Sequence, residues 1–372
     1  MHNSFISNFK DNRKDIKVFF LTVAAIFVVI VLILEGYFYW TGETLPYDQV
    51  IQRQARTGEY YAPKYFNVYR QYKMLGIKRL KPEVLVLGTS RMMRFEKKHF
   101  PGKRFYNGAV DAVTAWGSEG VLDILHSLKD DELPHKIILG IDPWIFNPNY
   151  AQNREFKMYQ LKKKFRDVAI IKGGYLFLKS LKEHIMAYDL VINETKKPLE
   201  FLPEVFKKKG IGLNAVIFHT GFSIDGNFVF PVTRERNDFT DIPQTMDAWQ
   251  KKLAHENSFF PPAHDVDQNA VKSFEELLDY CKSRNVDVIV MVAPFRPDYY
   301  DALTTLDTHK EFFQKFREVL PKLVTARGYL FFDYASPYSL KLGNDDFDDN
   351  MHAYTKFNDI VSLQIGKAGW LN

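Results

Sequence analysis

Cysteine is nearly absent from this chain. Cys281 is the only one in 372 residues, which excludes an internal disulfide framework and any thiolate-rich zinc or iron–sulfur site. An excess of one charge is missing too. Lys and Arg total 50 against 45 Asp and Glu, and the basic residues are scattered rather than gathered along one groove or arm, so a dedicated nucleic-acid binder is excluded. Internal repeats and low-complexity linkers are lacking. With 46% hydrophobic and 26% charged residues, disorder, a collagen-like chain and a coiled-coil rod are excluded as well. The length suits one large or two smaller domains. Long apolar runs are confined to one, near the N-terminus, which excludes a multi-pass channel or transporter.

That run is uncharged from Val18 to Leu34, and Gly36, Tyr37, Phe38, Tyr39 and Trp40 continue it past a lone Glu35. A helix over it is roughly 34 Å long at about 1.5 Å per residue, enough for a bilayer core of about 30 Å. Lys10, Arg13, Lys14 and Lys17 flank one end, whereas Glu43 and Asp48 follow the other. The positive flank faces the cytoplasm, and Tyr37, Tyr39 and Trp40 sit where an aromatic belt meets headgroups. The sequence therefore predicts a cytoplasmic tail over 1–17, a single transmembrane anchor over 18–40 and an extracytoplasmic remainder, with membrane lipid as the anchor's partner. A cleaved signal peptide needs a small-residue cleavage site, and residues 34–38 offer none. A secreted form would require a mature chain lacking residues 1–40.

Residues 41–80 read as a juxtamembrane helical segment with a tyrosine-rich face (Tyr60, Tyr61, Tyr65, Tyr69, Tyr72). Beyond it, short apolar runs alternate with helical patterns. Strands are expected at 83–87, 104–107, 136–142, 287–293 and 329–333, with helices at about 118–129, 267–283 and 310–327. The fold class is therefore α/β, with a five-stranded parallel sheet wrapped by helices in right-handed crossovers. An insertion over about 145–265 carries basic clusters at 162–166 and 207–209. It also carries a hairpin at 223–230, where Asp225-Gly226 supplies the positive φ of a tight turn.

In an open parallel sheet, ligands bind beyond the carboxyl ends of the strands. Those ends carry Gly88-Thr89-Ser90-Arg91, Asn107-Gly108 and Gly140-Ile141-Asp142-Pro143-Trp144, and Asp349-x-x-His352 follows the last strand. A serine alcohol needs a base within hydrogen-bond reach to act as a nucleophile. His352 is the candidate base, and Asp349 can fix its tautomer. Arg91 and Arg296 are candidates for holding an anionic substrate. Trp144, with Phe146 and Tyr150, could stack on sugar rings, and Asp142 could anchor its loop or bind a sugar hydroxyl. His219, His255, His264 and His309 match no metal-ligand spacing. The run Asp345, Asp346, Asp348, Asp349 lacks the glycine and closing Glu of an EF-hand loop. Neither a metal nor a cofactor is expected.

Taken in order, Gly88-Thr89-Ser90, Asn107-Gly108 and Asp349-x-x-His352 resemble the motifs of the SGNH (GDSL-like) hydrolase superfamily. The likeness spans about residues 81–365 and leaves the insertion unmatched. With the anchor, it is similar to membrane-tethered SGNH proteins of teichoic acid D-alanylation and exopolysaccharide O-acetylation. The resemblance implies a flavodoxin-like three-layer sandwich over 81–372. It also implies a catalytic triad of Ser90, Asp349 and His352, and an acyl-serine intermediate. The implied substrate is a cell-envelope glycan or teichoic acid, beside a membrane-bound O-acyltransferase partner. It implies an oxyanion hole as well. The family's third block carries an Asn whose amide donates to the oxyanion, but this chain has Asp142 there, acceptor-only when ionised. The hole is then expected to rest on the Ser90 and Gly108 amides with the Asn107 side chain. Asp142 is also the feature that favours the alternative, a weak or inactive binding or accessory protein of polymer modification.

Overall fold

A computed structural model describes residues 3–63, 69–110, 118–150, 210–230, 245–253 and 260–371. At its centre is a parallel sheet of five strands, β1 (Val84–Leu87), β2 (Phe105–Asn107), β3 (Lys136–Gly140), β6 (Asp287–Val292) and β7 (Leu330–Asp333), in the order β2-β1-β3-β6-β7. The central strands are uninterrupted apolar runs because both faces of a parallel sheet are covered. Val84 to Leu87 and Val288 to Val292 are all buried, and each such side chain contributes about 1.5–3 kcal/mol.

Helices α4 (Ser118–His126), α7 (Gln268–Ser283), α8 (Pro297–Thr305), α9 (Asp307–Thr325) and α10 (Thr355–Lys367) surround the sheet. Helix α7 packs against α4 and α9, while α10 packs against a 3₁₀ turn, Lys97–His99, in the β1–β2 connection. Right-handed crossovers put α4, α7 and α9 on one face and the β1–β2 connection on the other. The direction of winding reverses between β1 and β3, so the ends of these two strands diverge into a crevice. Helix α8 had no counterpart in the sequence reading; Arg296-Pro297-Asp298, with Pro in the first turn, is its start signal.

Residues 41–80, expected to be one helical segment, are not one helical stretch. They form α2 (Tyr47–Thr57) and α3 (Tyr69–Leu80), with residues 64–68 outside the described set. Gly58, at φ +70, ends α2 in the left-handed conformation that glycine adopts without strain. Extended backbone follows: Tyr61 bridges both Ile211 and Phe222. The expected hairpin is present as β4 (Gly221–Phe222) and β5 (Phe228–Val229), with Gly226 at φ +81 in the turn. It is built into the domain rather than standing free. The Asn107 amide donates to Asp225 O at 2.8 Å, the Phe228 amide donates to Met93 O at 2.9 Å, and the buried Lys73 amine of α3 donates to Asn107 O at 2.8 Å and to Gly226 O. Helices α5 (Leu213–Phe218) and α6 (Met246–Leu253) complete the described part of the insertion, and Phe222, Trp249 and Phe260 join the main core. The basic clusters at 162–166 and 207–209, and His255, lie outside the described residues.

Helix α1 (Asn3–Thr41) is 39 residues long. Its described apolar side chains between Val18 and Leu32, among them Phe19, Phe20, Leu21 and Phe27, are exposed. Its last turn is partly buried: Phe38 and Thr41 are covered while Tyr39 and Trp40 stay exposed, and the Gly212 amide donates to Thr41 O at 2.8 Å. Side chains at positions 30, 31, 33 and 34 of the apolar run lie outside the described set, and among the described residues no helix is long and apolar enough to cross a membrane.

Candidate active site

The β1 strand ends at Gly88, whose φ of +137 is open to glycine and whose absent side chain lets the turn pass the end of β3; a Cβ there would lie 2.7 Å from Gly140 O. Ser90 follows immediately and opens a 3₁₀ turn, Ser90–Met92. On the other side of the crevice, β7 leads through two short 3₁₀ turns, Pro337–Leu340 and Asn344–Asp346, into the loop 346–354. Asp348 N donates to His352 O at 2.8 Å, Tyr354 N donates to Asp346 O at 2.8 Å, and Phe347 bridges Ala353. This tight loop carries both Asp349 and His352.

The two stretches meet. Ser90 Oγ lies 2.7 Å from His352 Nε2, across 262 positions of sequence. His352 Nδ1 lies 2.6 Å from Asp349 Oδ2. Asp349 Oδ1 accepts the Met351 and His352 amides at 2.8 Å each. Burial alone would raise the Asp349 pKa, but the hydrogen bond and charge of His352, together with the two amides, outweigh it and bring it down to about 2. An ionised Asp349 can only accept, so Nδ1 carries the hydrogen and Nε2 turns a lone pair to the Ser90 hydroxyl. This is the arrangement an alcohol nucleophile requires.

The expected oxyanion donors fare differently. Among the described residues Ser90 N has no hydrogen-bond acceptor. The Gly108 amide has one, since it donates to Val86 O of β1 at 2.8 Å. Asn107 is fully buried and spends its amide on Met92 O (2.9 Å) and Phe95 O (3.0 Å), while its Oδ1 accepts the Ala109 amide at 3.0 Å. Both expectations are therefore corrected. Gly108 continues the strand ladder, and Asn107 fastens the turn that carries Ser90 to β2.

Two of the four expected substrate-binding residues are also corrected outright. Arg91, 5% exposed, is turned inward. Its Nε donates to Met351 O at 3.1 Å, Nη1 to Asp142 Oδ1 at 2.7 Å, and Nη2 to Pro294 O at 2.8 Å and to Ala293 O. Trp144, 1% exposed, packs edge-on against Phe260 with ring centroids 5.5 Å apart, so it offers no face to a sugar. Asp142 anchors its loop through the buried Arg91 pair, as one of its two expected roles had it, and its Oδ2 has no hydrogen-bond partner among the described residues. Arg296 pairs with Asp298 at 3.2 Å, and its amide donates to Asn350 O at 3.1 Å beside His352.

Phe146 is buried and Tyr150 half-buried. His309 is buried with Nε2 2.8 Å from Phe260 O, and His264 lies 2.8 Å from Glu311. Among the described residues no group of three His, Cys, Asp or Glu side chains could hold a metal.

The sequence reading missed Arg94. Its Nη2 donates to Asp348 Oδ2 at 2.9 Å, and its guanidinium lies 3.9 Å from the Phe230 ring. The signal was present in Ser90-Arg91-Met92-Met93-Arg94, where two cations three positions apart follow the candidate serine, with an acid-rich run at 345–349 to pair them. Compared with known proteins, the chain matches no family model and no curated protein, so what this site does must be argued from its own geometry.

Proposed function

We propose that this chain is a membrane-tethered serine esterase or acyltransferase of the SGNH type. It would act on O-acyl groups of cell-envelope glycans or teichoic acids beside a membrane-bound O-acyltransferase. The observation that carries this reading is the 2.7 Å contact between Ser90 Oγ and His352 Nε2, with Asp349 behind it. Ser90 Oγ attacks the acyl carbonyl as its proton passes to His352 Nε2. The developing oxyanion is met by the Ser90 amide. His352 returns the proton to the leaving alcohol or thiol, which departs as the acyl-serine ester forms. A glycan hydroxyl or water then gives up its proton to His352 and attacks the ester, and His352 passes that proton to Ser90 Oγ as the serine leaves with its hydroxyl restored. The strand order and the site at the switch point suit a flavodoxin-like sandwich.

The anchor reading is supported by the exposed apolar side chains of α1, which no described part of the domain covers. With Lys10, Arg13, Lys14 and Lys17 at its start, a bilayer is the fitting occupant, with the folded domain outside the cytoplasm. Tethering keeps the site close to a membrane-borne acyl donor and raises its effective concentration.

One set of observations favours the second reading, a weakly active accessory protein that binds an envelope polymer. Gly108 and Asn107 are engaged elsewhere, and Asp142 is an acceptor. Loss of one oxyanion donor typically costs about 10²–10³ in rate. The test is a Ser90→Ala chain expressed in the native cell in place of the wild type, with envelope O-acyl content measured. The enzyme reading expects that content to fall to the level of a deletion strain. Unchanged acylation would favour the accessory role.

A further inference from the structure

We propose that Arg91 and Arg94 are positioning residues of the triad: together they brace the Asp349–His352 loop against the nucleophile's own turn and so set the Ser90–His352 distance. The proposal rests on Ser90 being the nucleophile and goes beyond it by assigning what holds the base in place.

The connectivity is the first ground. Ser90, Arg91 and Arg94 belong to one short stretch, so anything they hold is held relative to the nucleophile. Arg91 Nε grips Met351 O, next to His352, and Arg94 Nη2 grips the Asp348 carboxylate, next to Asp349. The loop is thus attached at two points that bracket both of its triad members. Other contacts also reach the loop: the Arg296 amide donates to Asn350 O, Tyr299 hydrogen-bonds the Asn350 side chain, and Lys356 Nζ lies 2.8 Å from Asp346 Oδ2, but none of these comes from the stretch that carries Ser90.

The chemistry of the two side chains is the second ground. Arg91 is buried and uses all three of its guanidinium nitrogens, reaching the ends of β3 (Asp142) and β6 (Ala293, Pro294) as well as the loop. Its plane is fixed by Phe295, 4.1 Å away, just as Phe230 fixes Arg94 at 3.9 Å. A planar fork with spread donors can join several carbonyls at set angles; the ammonium of lysine is a single point charge and cannot. Asp142 takes its place in the same device. It balances the buried guanidinium and keeps Nη1 directed at β3, which accounts for a carboxylate where an oxyanion-binding amide was expected.

Misplacing a reacting group by about 1 Å can cost about 10²-fold in rate. Lysine at either position keeps the charge and most of the volume but releases the loop. The experiment uses the full-length chain in non-ionic detergent. Hydrolysis of p-nitrophenyl acetate gives kcat and KM, and a fluorophosphonate probe reports the rate of Ser90 labelling. Arg91→Lys and Arg94→Lys are each expected to lower kcat and the labelling rate by about tenfold or more, with KM within about threefold of wild type. Thermal unfolding should remain cooperative. Should Arg91→Lys not fold, Asp348→Asn, which removes the Arg94 pair at constant volume, is expected to lower kcat in the same way. Arg91→Ala supplemented with free guanidinium should recover kcat in a saturable manner, which a general loss of stability would not do. Wild-type kcat and labelling rate in folded Arg91→Lys and Arg94→Lys would overturn the proposal while leaving Ser90 as nucleophile. A wild-type chain whose Ser90 takes no label would remove the nucleophile and the proposal together.

Discussion

Replacing Asp349 with Asn removes one negative charge and changes little else in volume. The wild-type carboxylate accepts three hydrogen bonds, from Met351 N and His352 N at 2.8 Å and from His352 Nδ1 at 2.6 Å. These hold its pKa at about 2 against an ordinary 3.8, a difference worth on the order of 2 kcal/mol at about 1.4 kcal/mol per unit. Because the folded value is the lower one, this stabilisation is fully present above the unfolded pKa and is lost as pH falls through 3.8 towards 2. The Asn variant has no such proton to gain. Chemical unfolding of the full chain in detergent, repeated between about pH 2 and pH 6, should therefore show wild type ahead by about 2 kcal/mol at pH 6. That lead should fade at the acid end. Catalysis should suffer more. An Asn amide facing His352 would favour the tautomer with hydrogen on Nε2, which cannot take the serine proton, and the equivalent change in another triad costs about 10⁴ in kcat. Parallel stability curves for the two chains across this pH range, or a kcat within about tenfold of wild type, would refute the reasoning.

Gly88→Ala is expected to destabilise the fold by about 1–3 kcal/mol and to lower activity, because the new Cβ meets Gly140 O at 2.7 Å and Met92 Cγ at 2.9 Å in a backbone conformation at φ +137. Denaturant midpoints and ester hydrolysis check both. Alanines inserted in α1 between Gly36 and Tyr37 test whether its last turn, where Phe38 and Thr41 are buried, couples the proposed anchor to the domain. Two residues turn the helix by about 200° and four by about 400°, close to a full turn. Envelope acylation is expected to fall further with two than with four, while hydrolysis of a soluble ester stays unchanged. Equal acylation in both would refute a rigid connection.

The sheet was legible because its strands are short apolar runs stopped by Gly, Pro or polar residues. The expected 287–293 and 136–142 became Asp287–Val292 and Lys136–Gly140. Helix α7 was legible from the spacing of Val271, Phe274, Leu277 and Leu278, all buried. Residues 47–80 misled because the tyrosines that suggested a helical face are partly in extended backbone: Tyr61 is buried in bridges to Ile211 and Phe222, a pairing set by distant chain. Ser90, Asp349 and His352 were legible as candidates because each sits at a strand end or in a short loop and the last two lie three positions apart; that Ser90 meets His352 across 262 positions only the fold reveals. The role of the arginines was not legible. A charged side chain beside a nucleophile suggests substrate, and only the fold reveals that Arg91 turns inward to carbonyls 202 and 260 positions away. Likewise Asn107 carries the right chemistry for an oxyanion, but the close return of Met92 and Phe95 consumes it.

The most direct measurement is the mass of the Ser90 peptide, taken from full-length chain quenched in acid during turnover of an acyl ester and digested. A covalent acyl group on Ser90 is the expected result, with none on the same peptide carrying Ser90→Ala and much less in His352→Ala. An unmodified Ser90, or an acyl group carried by another residue while turnover proceeds, would contradict the assignment of this serine as the nucleophile.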